Sequence, residues 1–285
     1  MNLLKYLRHL SFLLFYFAIM AGIFGCQNSS APYYNDGDWS FVAFGDLRQG
    51  FGIYKKLAIS MGSEKPAPLL AVCLGDIMLE PGNEAEWLKF WKYSDPITEK
   101  MPLLIVRGNH EGNDAASEWL YRVQTGIPEG QPFYFSKQVK DQLMIILDTE
   151  IPGEENSISN MQLDWLKAQL DSASISDDIS GIFIFMHRPL YRQGIHKGET
   201  LDNAREMHEL FKQNKKIRAV VAGHDHMYHY MKKDGINYII SGGAGAPLIH
   251  GYGGDYYHYL LFTFNDKINM KAIGVFNEIN ENRNL

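Results

Sequence analysis

From Trp39 onward the chain repeats one pattern, a short apolar run rich in Val, Ile, Leu and Phe that stops at a glycine or a polar residue. The runs are FVAFGD, LLAVCLGD, LLIVRGNH, LMIILDTE, GIFIFMH, AVVAGHDH and YIISGG. A strand with one face in water alternates apolar and polar residues, whereas a strand covered on both faces stays apolar, so these runs predict buried strands. Helical patterns lie between several of them. Ser159 followed by Gln162 reads as a capping box ahead of the stripe Leu163, Leu166 and Leu170. Asn83 is placed to cap NEAEWLKFWKY, and AREMHELFKQN puts Met207, Leu210 and Phe211 on one face. Strands alternating with helices predict a layered α/β domain. No internal repeat, low-complexity block or long linker follows residue 38, so residues 39–285 read as one domain.

The residues that end the runs carry the chemistry. Asp46, Asp76, Asn109 with His110, Asp148, His187, and His224 with His226 fall at or just past the expected carboxyl ends of strands. That is the edge where open α/β sheets bind ligands. Singly, each has an ordinary explanation, the aspartates as turn or cap residues and the histidines as satisfied core residues. Taken together, Asp46, Asp76, Asn109, His187, His224 and His226 form a set of hard oxygen and imidazole donors without a thiolate. Such a set suits Mn, Fe, Zn or Mg and argues against a structural cysteine cage. It exceeds what a single zinc takes, which favours two ions sharing a carboxylate, an arrangement that clamps the attacking and leaving oxygens of a displacement at phosphorus.

The beginning of the chain differs from the rest. Lys5 and Arg8 precede an uncharged apolar stretch from Leu10 to Phe24, the layout of a secretion signal. It closes on Ile23, Phe24, Gly25 and Cys26, which resembles the bacterial lipoprotein box, where cleavage falls ahead of a cysteine that then carries lipid. Residues 1–25 are expected to be a signal peptide and residues 26–38 a tether, with Cys26 as the membrane attachment; an uncleaved anchor is the alternative. Either reading places the remainder in the bacterial cell envelope, outside the inner membrane. The only other cysteine, Cys73, lies in an apolar run and reads as a core filler. A chain of 285 residues, 46% hydrophobic, is long enough to bury a full core. Its formal net charge of −6 and lack of any Lys/Arg-rich block argue against nucleic-acid scaffold binding. No GxSxG elbow, Walker loop or HExxH spacing occurs, which removes hydrolase-fold esterases, P-loop enzymes and zincins.

The ordered motifs GDLR, GDI, GNHE, MHRPLY and GHDH, spanning Gly45 to His226, resemble the calcineurin-type metallophosphoesterase superfamily, whose pattern is GDxH, GDxxD, GNHE, a later His, then GHxH. Within it, MHRPLYRQGIH, GHDHMYH and YIISGGAGAP are most similar to the branch related to purple acid phosphatases. The resemblance implies a four-layer α/β/β/α sandwich with mixed sheets and the metal site at the strand carboxyl ends. It implies two divalent ions, Mn, Fe or Zn in preference to Mg. Asp76 would bridge them, Asp46 and His226 would complete one position, and Asn109, His187 and His224 the other. His110 would protonate the leaving alkoxide or hold a phosphoryl oxygen, and the nucleophile would be a metal-bound hydroxide. His196, in the loop after His187, matches a histidine that this branch places at the substrate. The implied activity is hydrolysis of small phosphomonoesters or phosphodiesters. The alternative is a noncatalytic protein that uses the ions to hold phosphate-bearing glycans or lipids.

Two positions depart from the pattern. Arg48 stands where the superfamily commonly has a histidine, and Leu79 stands where the purple branch has a tyrosine and other members the last Asp of GDxxD. The missing tyrosinate argues against a purple ferric centre. A guanidinium only donates, so Arg48 removes a metal ligand and adds a fork suited to bidentate phosphate recognition. Arg48 is therefore expected at the mouth of the site, as a phosphate clamp beside a loosely held ion.

Overall fold

Each of the apolar runs is a strand, and together they supply the parallel parts of two sheets. The computed structural model describes residues 38–191 and 201–285. The signal stretch, Cys26 and all but the last residue of the tether lie outside the described residues, as does His196. The elements run β1 (Trp39–Phe44), α1 (Phe51–Met61), β2 (Ala71–Cys73), α2 (Glu84–Thr98), β3 (Leu103–Ile105), a 3-10 turn (Asn109–Glu111), α3 (Ala115–Thr125), β4 (Phe135–Val139), β5 (Gln142–Ile146) and α4 (Asn160–Ile175). They continue β6 (Gly181–Met186), α5 (Ala204–Gln213), β7 (Ile217–Ala222), β8 (Tyr228–Lys233), β9 (Ile236–Ser241), β10 (His258–Phe264), β11 (Ile268–Gly274) and β12 (Ile279–Asn284). One six-stranded sheet has the order β12-β11-β10-β1-β2-β3 and the other β4-β5-β6-β7-β9-β8. β1, β2 and β3 are parallel, as are β5, β6, β7 and β9, and antiparallel strands flank both sets.

The uninterrupted apolar runs are explained by where their two faces go. Phe41, Ala43, Val72 and Leu104 face Met144, Ile146, Phe183, Phe185 and Val221 of the opposite sheet. The alternate residues Val42, Phe44, Ala71, Cys73 and Ile105 pack outward with Tyr54, Leu57, Trp87, Phe90 and Tyr121 of α1 to α3. In the second sheet Ile145, Ile182, Ile184 and Val220 pack with Leu166, Leu170, Met207 and Phe211 of α4 and α5. The result is the α/β/β/α layering that was expected. Phe41 stacks on Phe262 with centroids 4.5 Å apart and meets Phe183 of the other sheet edge-on at 5.2 Å. Burying each such ring contributes about 1.5–3 kcal/mol, and the edge-on contact sets how the sheets face one another. Among the described residues no helix is long and apolar enough to cross a membrane.

Local signals were used in two ways. Asn83 caps α2, its side chain accepting the Glu86 N–H at 3.2 Å. The capping box expected at Ser159 does not form. Ser159 Oγ donates to Glu154 at 2.6 Å, and the Gln162 amide turns away from the helix end. It accepts the Asp148 N–H and donates to the Asp148 carbonyl, both at 2.8 Å. The peptide groups just past β5 are buried and need partners, and a buried Gln162 supplies both a donor and an acceptor. Asp148 itself receives Arg107 Nη2 at 2.7 Å and Nε at 3.1 Å, so this strand-end aspartate braces the fold rather than joining the metal-type donors.

Candidate metal centre

The parallel strands bring their carboxyl ends to one edge, and the turns after them carry the donors across both sheets. Asp46 follows β1, Asp76 follows β2 and Asn109 follows β3, while His187 follows β6 and His224 and His226 follow β7. Asp46, Asp76 and His224 have φ of 60°, 53° and 69°. This left-handed region costs a non-glycine residue about 1–2 kcal/mol, so these turns are held by other interactions. Asp46 N–H donates to the Gly75 carbonyl at 3.0 Å, and the Leu47 and Arg48 N–H groups donate to the Asp76 carbonyl at 3.1 and 3.2 Å. The His224 N–H donates to both Asp46 carboxylate oxygens at 3.0 Å. Gly108 passes so close to Asp76 that a Cβ there would collide with the carboxylate.

The donors form two groups. In one, Asn109 Oδ1, His187 Nε2 and His224 Nδ1 lie 3.0, 3.1 and 3.2 Å from one another, and Asp76 Oδ1 lies 3.3 Å from His187 Nε2. Four ligands at about 2.0–2.1 Å from a tetrahedral ion stand roughly 3.3 Å apart, so these spacings fit a small divalent cation. His187 Nδ1–H donates to the Leu74 carbonyl at 2.8 Å, which turns the Nε2 lone pair into the group. Asp46, Asp76 and His187 also place one ligand atom each within 4.8 Å of one another.

The other group contains a cation of its own. Asp46 Oδ1 is 3.7 Å from His226 Nε2, and the Arg48 side chain is turned inward between them and Asp76. Its Nη2 donates to His226 Nε2 at 3.2 Å, and its Nε lies 3.6 Å from Asp76 Oδ2. Arg48, expected at the mouth of the site, is partly exposed and reaches both Asp76 and His226. Burial and the charge of Asp76 push Asp46 well above the usual carboxylate range, against Arg48 and the His224 N–H. Burial also raises Asp76, but His187, His110 and Arg48 together bring it below that range. Burial and Arg48 lower His226 to about 4, which keeps its imidazole neutral.

Several supports were not legible beforehand. Glu111, buried at the end of GNHE, accepts the N–H groups of Gly108, Asp76 and Ile77 at 2.6, 2.9 and 2.8 Å, tying the turn after β3 to the turn after β2. Burial and Asp76 push it up to about 8, against those same N–H donors. The loop after β9, part of the YIISGGAGAP motif, is hydrogen-bonded to the site. Ala244 and Ala246 donate to the Gly45 and Asp46 carbonyls at 2.9 and 2.8 Å, and the Pro247 carbonyl accepts His226 Nδ1–H at 2.9 Å. Leu79, where a ligand was missing, accepts His110 Nδ1–H through its carbonyl at 2.6 Å. His110 Nε2 then faces the centre, 4.0 Å from Asp76 Oδ2.

The comparisons with known proteins identify the family. The model of the calcineurin-like phosphoesterase family matches residues 40–228, and the chain belongs to it. Purple acid phosphatase 23 of Arabidopsis thaliana is 23% identical over 178 residues, which is 59% of this chain and 38% of the relative. The purple acid phosphatase PPD1 from yellow lupin (Lupinus luteus) seeds superposes with a TM-score of 0.75 at 15% identity, covering 87% of this chain and 54% of that one. GAP50, the anchor in the inner membrane complex of Plasmodium, superposes with a TM-score of 0.66 at 14% identity, covering 87% of this chain and 88% of that one. These agree with the expected superfamily and its purple-acid-phosphatase-like branch. The match to the curated relative spans well under half of its length, and the structural likenesses are those of fold. The family implies divalent metal ions at this centre.

Proposed function

We propose that the chain is a metal-dependent phosphoesterase of the cell envelope that hydrolyses small phosphomonoesters or phosphodiesters, at a centre of the kind its relatives build for two ions. The observation that carries this is the convergence of Asp76, Asn109, His187 and His224 with His110 beside them. Bound divalent ions supply positive charge for phosphoryl oxygens and lower the pKa of water toward about 7. Mn, Fe or Zn suits this imidazole-rich set better than Mg. The protein's own groups hold and orient. Leu74 and Leu79 accept the Nδ1–H groups of His187 and His110, so that His110 turns Nε2 to the centre, where its imidazolium form gives a proton to a leaving alkoxide or donates to a phosphoryl oxygen. Glu111 fixes the spacing between Asp76 and the turn that carries Asn109. Cys26 as the lipid attachment and His196 as a substrate contact belong to the same proposal.

The test is hydrolysis of nitrophenyl phosphate and bis-nitrophenyl phosphate by the purified chain supplied with Mn, Zn, Fe or Mg. Turnover that disappears in Asp76→Ala and His110→Ala supports the reading; turnover unchanged in either variant sinks it. Arg48, lying inside the centre, favours a second reading, a noncatalytic protein that binds phosphate-bearing glycans or lipids through its metal. Metal-dependent binding of such ligands with no turnover under any of these ions would select that reading.

A further inference from the structure

We propose that the Arg48 guanidinium is the resident cation of the first position, so that the chain holds one divalent ion, at the second position, where its relatives are built for two. This rests on the metal-dependent reading above and concerns the occupancy of the same centre.

Three observations carry it. First, the lone pair that His226 would offer a metal is already engaged. Its Nδ1–H donates to the Pro247 carbonyl at 2.9 Å, so Nε2 is the acceptor nitrogen, and Arg48 Nη2 donates to it at 3.2 Å. Second, Arg48 lies against the bridging carboxylate, with Nε 3.6 Å from Asp76 Oδ2. A guanidinium stays protonated at any physiological pH, so a divalent ion entering among Asp46, Asp76 and His226 would meet a permanent like charge within a few ångströms. Third, the arginine is anchored at its backbone as well, its N–H donating to the Asp76 carbonyl at 3.2 Å, so the side chain starts from the rim of this position.

The second position is built differently. Asn109 Oδ1, His187 Nε2 and His224 Nδ1 approach one another to 3.0–3.2 Å, a spacing for ligand atoms around one cation. The first position therefore contributes a fixed single positive charge and a fork of N–H donors, and the Lewis acidity is confined to the second. A group that the family pattern supplies with a metal is supplied here by the chain itself.

The experiment is metal stoichiometry of the full purified chain after equilibrium dialysis against Mn2+, read by elemental analysis and by electron paramagnetic resonance. The expected result is one ion per chain with the six-line signal of an isolated Mn2+. His226→Ala should keep that ion, His187→Ala should weaken it by 100-fold or more, and Arg48→His should raise the stoichiometry to two with a spin-coupled signal. Two coupled ions in the unaltered chain overturn the proposal and leave the phosphoesterase reading standing. So does an ion lost in His226→Ala but kept in His187→Ala, or a folded Arg48→His that still binds one. One ion with no hydrolysis of any phosphoester leaves the proposal standing and removes the hydrolytic reading, while no bound ion at millimolar Mn2+ removes both. The spectrum of the unaltered chain decides the question even if a variant does not fold.

Discussion

Asp46 and His224 join the two sheets: the His224 N–H donates to both oxygens of the Asp46 carboxylate at 3.0 Å, so the turn after β1 and the turn after β7 form one unit. Both residues sit in the left-handed backbone region, at φ of 60° and 69°, and each turn is held there by the other. Asp46→Ala leaves a buried N–H without its acceptor, a loss of about 1–3 kcal/mol. A thermal melt should show a fall of several degrees, and a metal titration should show weaker binding because His224 is no longer fixed. Unchanged metal affinity would mean that His224 is positioned by its other contacts.

Glu111 acts at one remove from the candidate metal donors. An amide in place of its carboxylate turns one acceptor oxygen into a donor facing a backbone N–H, which loosens Asp76 and Asn109 together. Glu111→Gln should cost 10- to 100-fold in metal affinity, the usual scale for groups that orient ligands, measured by calorimetric titration. An affinity equal to that of the unaltered chain would show that the three hydrogen bonds only stabilise the fold.

For His110 the expected effect is on rate alone. Its Nε2 faces the centre while Nδ1–H is held by the Leu79 carbonyl. His110→Ala should lower kcat by about 10²–10⁴ with metal content unchanged. Loss of the ion in this variant would make His110 a positioning residue for Asp76, whose Oδ2 lies 4.0 Å from His110 Nε2.

The Arg107–Asp148 pair should matter for stability and not for metal binding. It is buried and doubly hydrogen-bonded, at 2.7 and 3.1 Å. Removing Asp148 takes two hydrogen bonds from the buried Arg107 guanidinium, which keeps Glu118 at 2.8 Å and the Glu150 carbonyl at 2.7 Å, a loss of about 1.5–3 kcal/mol. Asp148→Ala should therefore unfold at markedly lower denaturant, while the folded fraction binds its ion as before. A stable variant with altered metal content would return Asp148 to the candidate ligands.

His258 should give the protein an acid-sensitive stability. Its Nδ1–H donates to the Tyr256 carbonyl at 2.9 Å and its Nε2 accepts Ser241 Oγ–H at 3.0 Å, and burial lowers its pKa from 6.5 to about 4. The unfolded chain binds this proton first as the pH falls, so the contribution is full above pH 6.5 and is lost on the way down to pH 4, about 3 kcal/mol in all. Chemical denaturation of His258→Gln across that window should lack this part of the slope. An identical slope would assign the acid sensitivity to other groups.

The interior strands were legible because burial on both faces writes itself as an uninterrupted apolar run, and the donors were legible because they end those runs. The polar edge strands were not. β8 (YHYMKK) and β12 (INENRN) are polar sequences that pair through their backbones, and β12 is largely exposed, so no run marks it. β10 and β11 needed the partner β1 to be recognised as a sheet. Gln162 carried the sign of a capping box, but a buried peptide after β5 claimed its amide instead.

What the sequence by itself determined is therefore the layered α/β class, the carboxyl-end placement of Asp46, Asp76, Asn109, His187, His224 and His226, and the family they belong to, because each follows from residue type and local period. Only the tertiary structure decided that Asp148 serves Arg107, that Glu111 and Pro247 hold the Asp76 turn and the His226 ring, and that Arg48 reaches Asp76 and His226. Those outcomes depend on which buried donor meets which acceptor between segments as far apart as Arg48 and His226, and a linear pattern carries no distance between them.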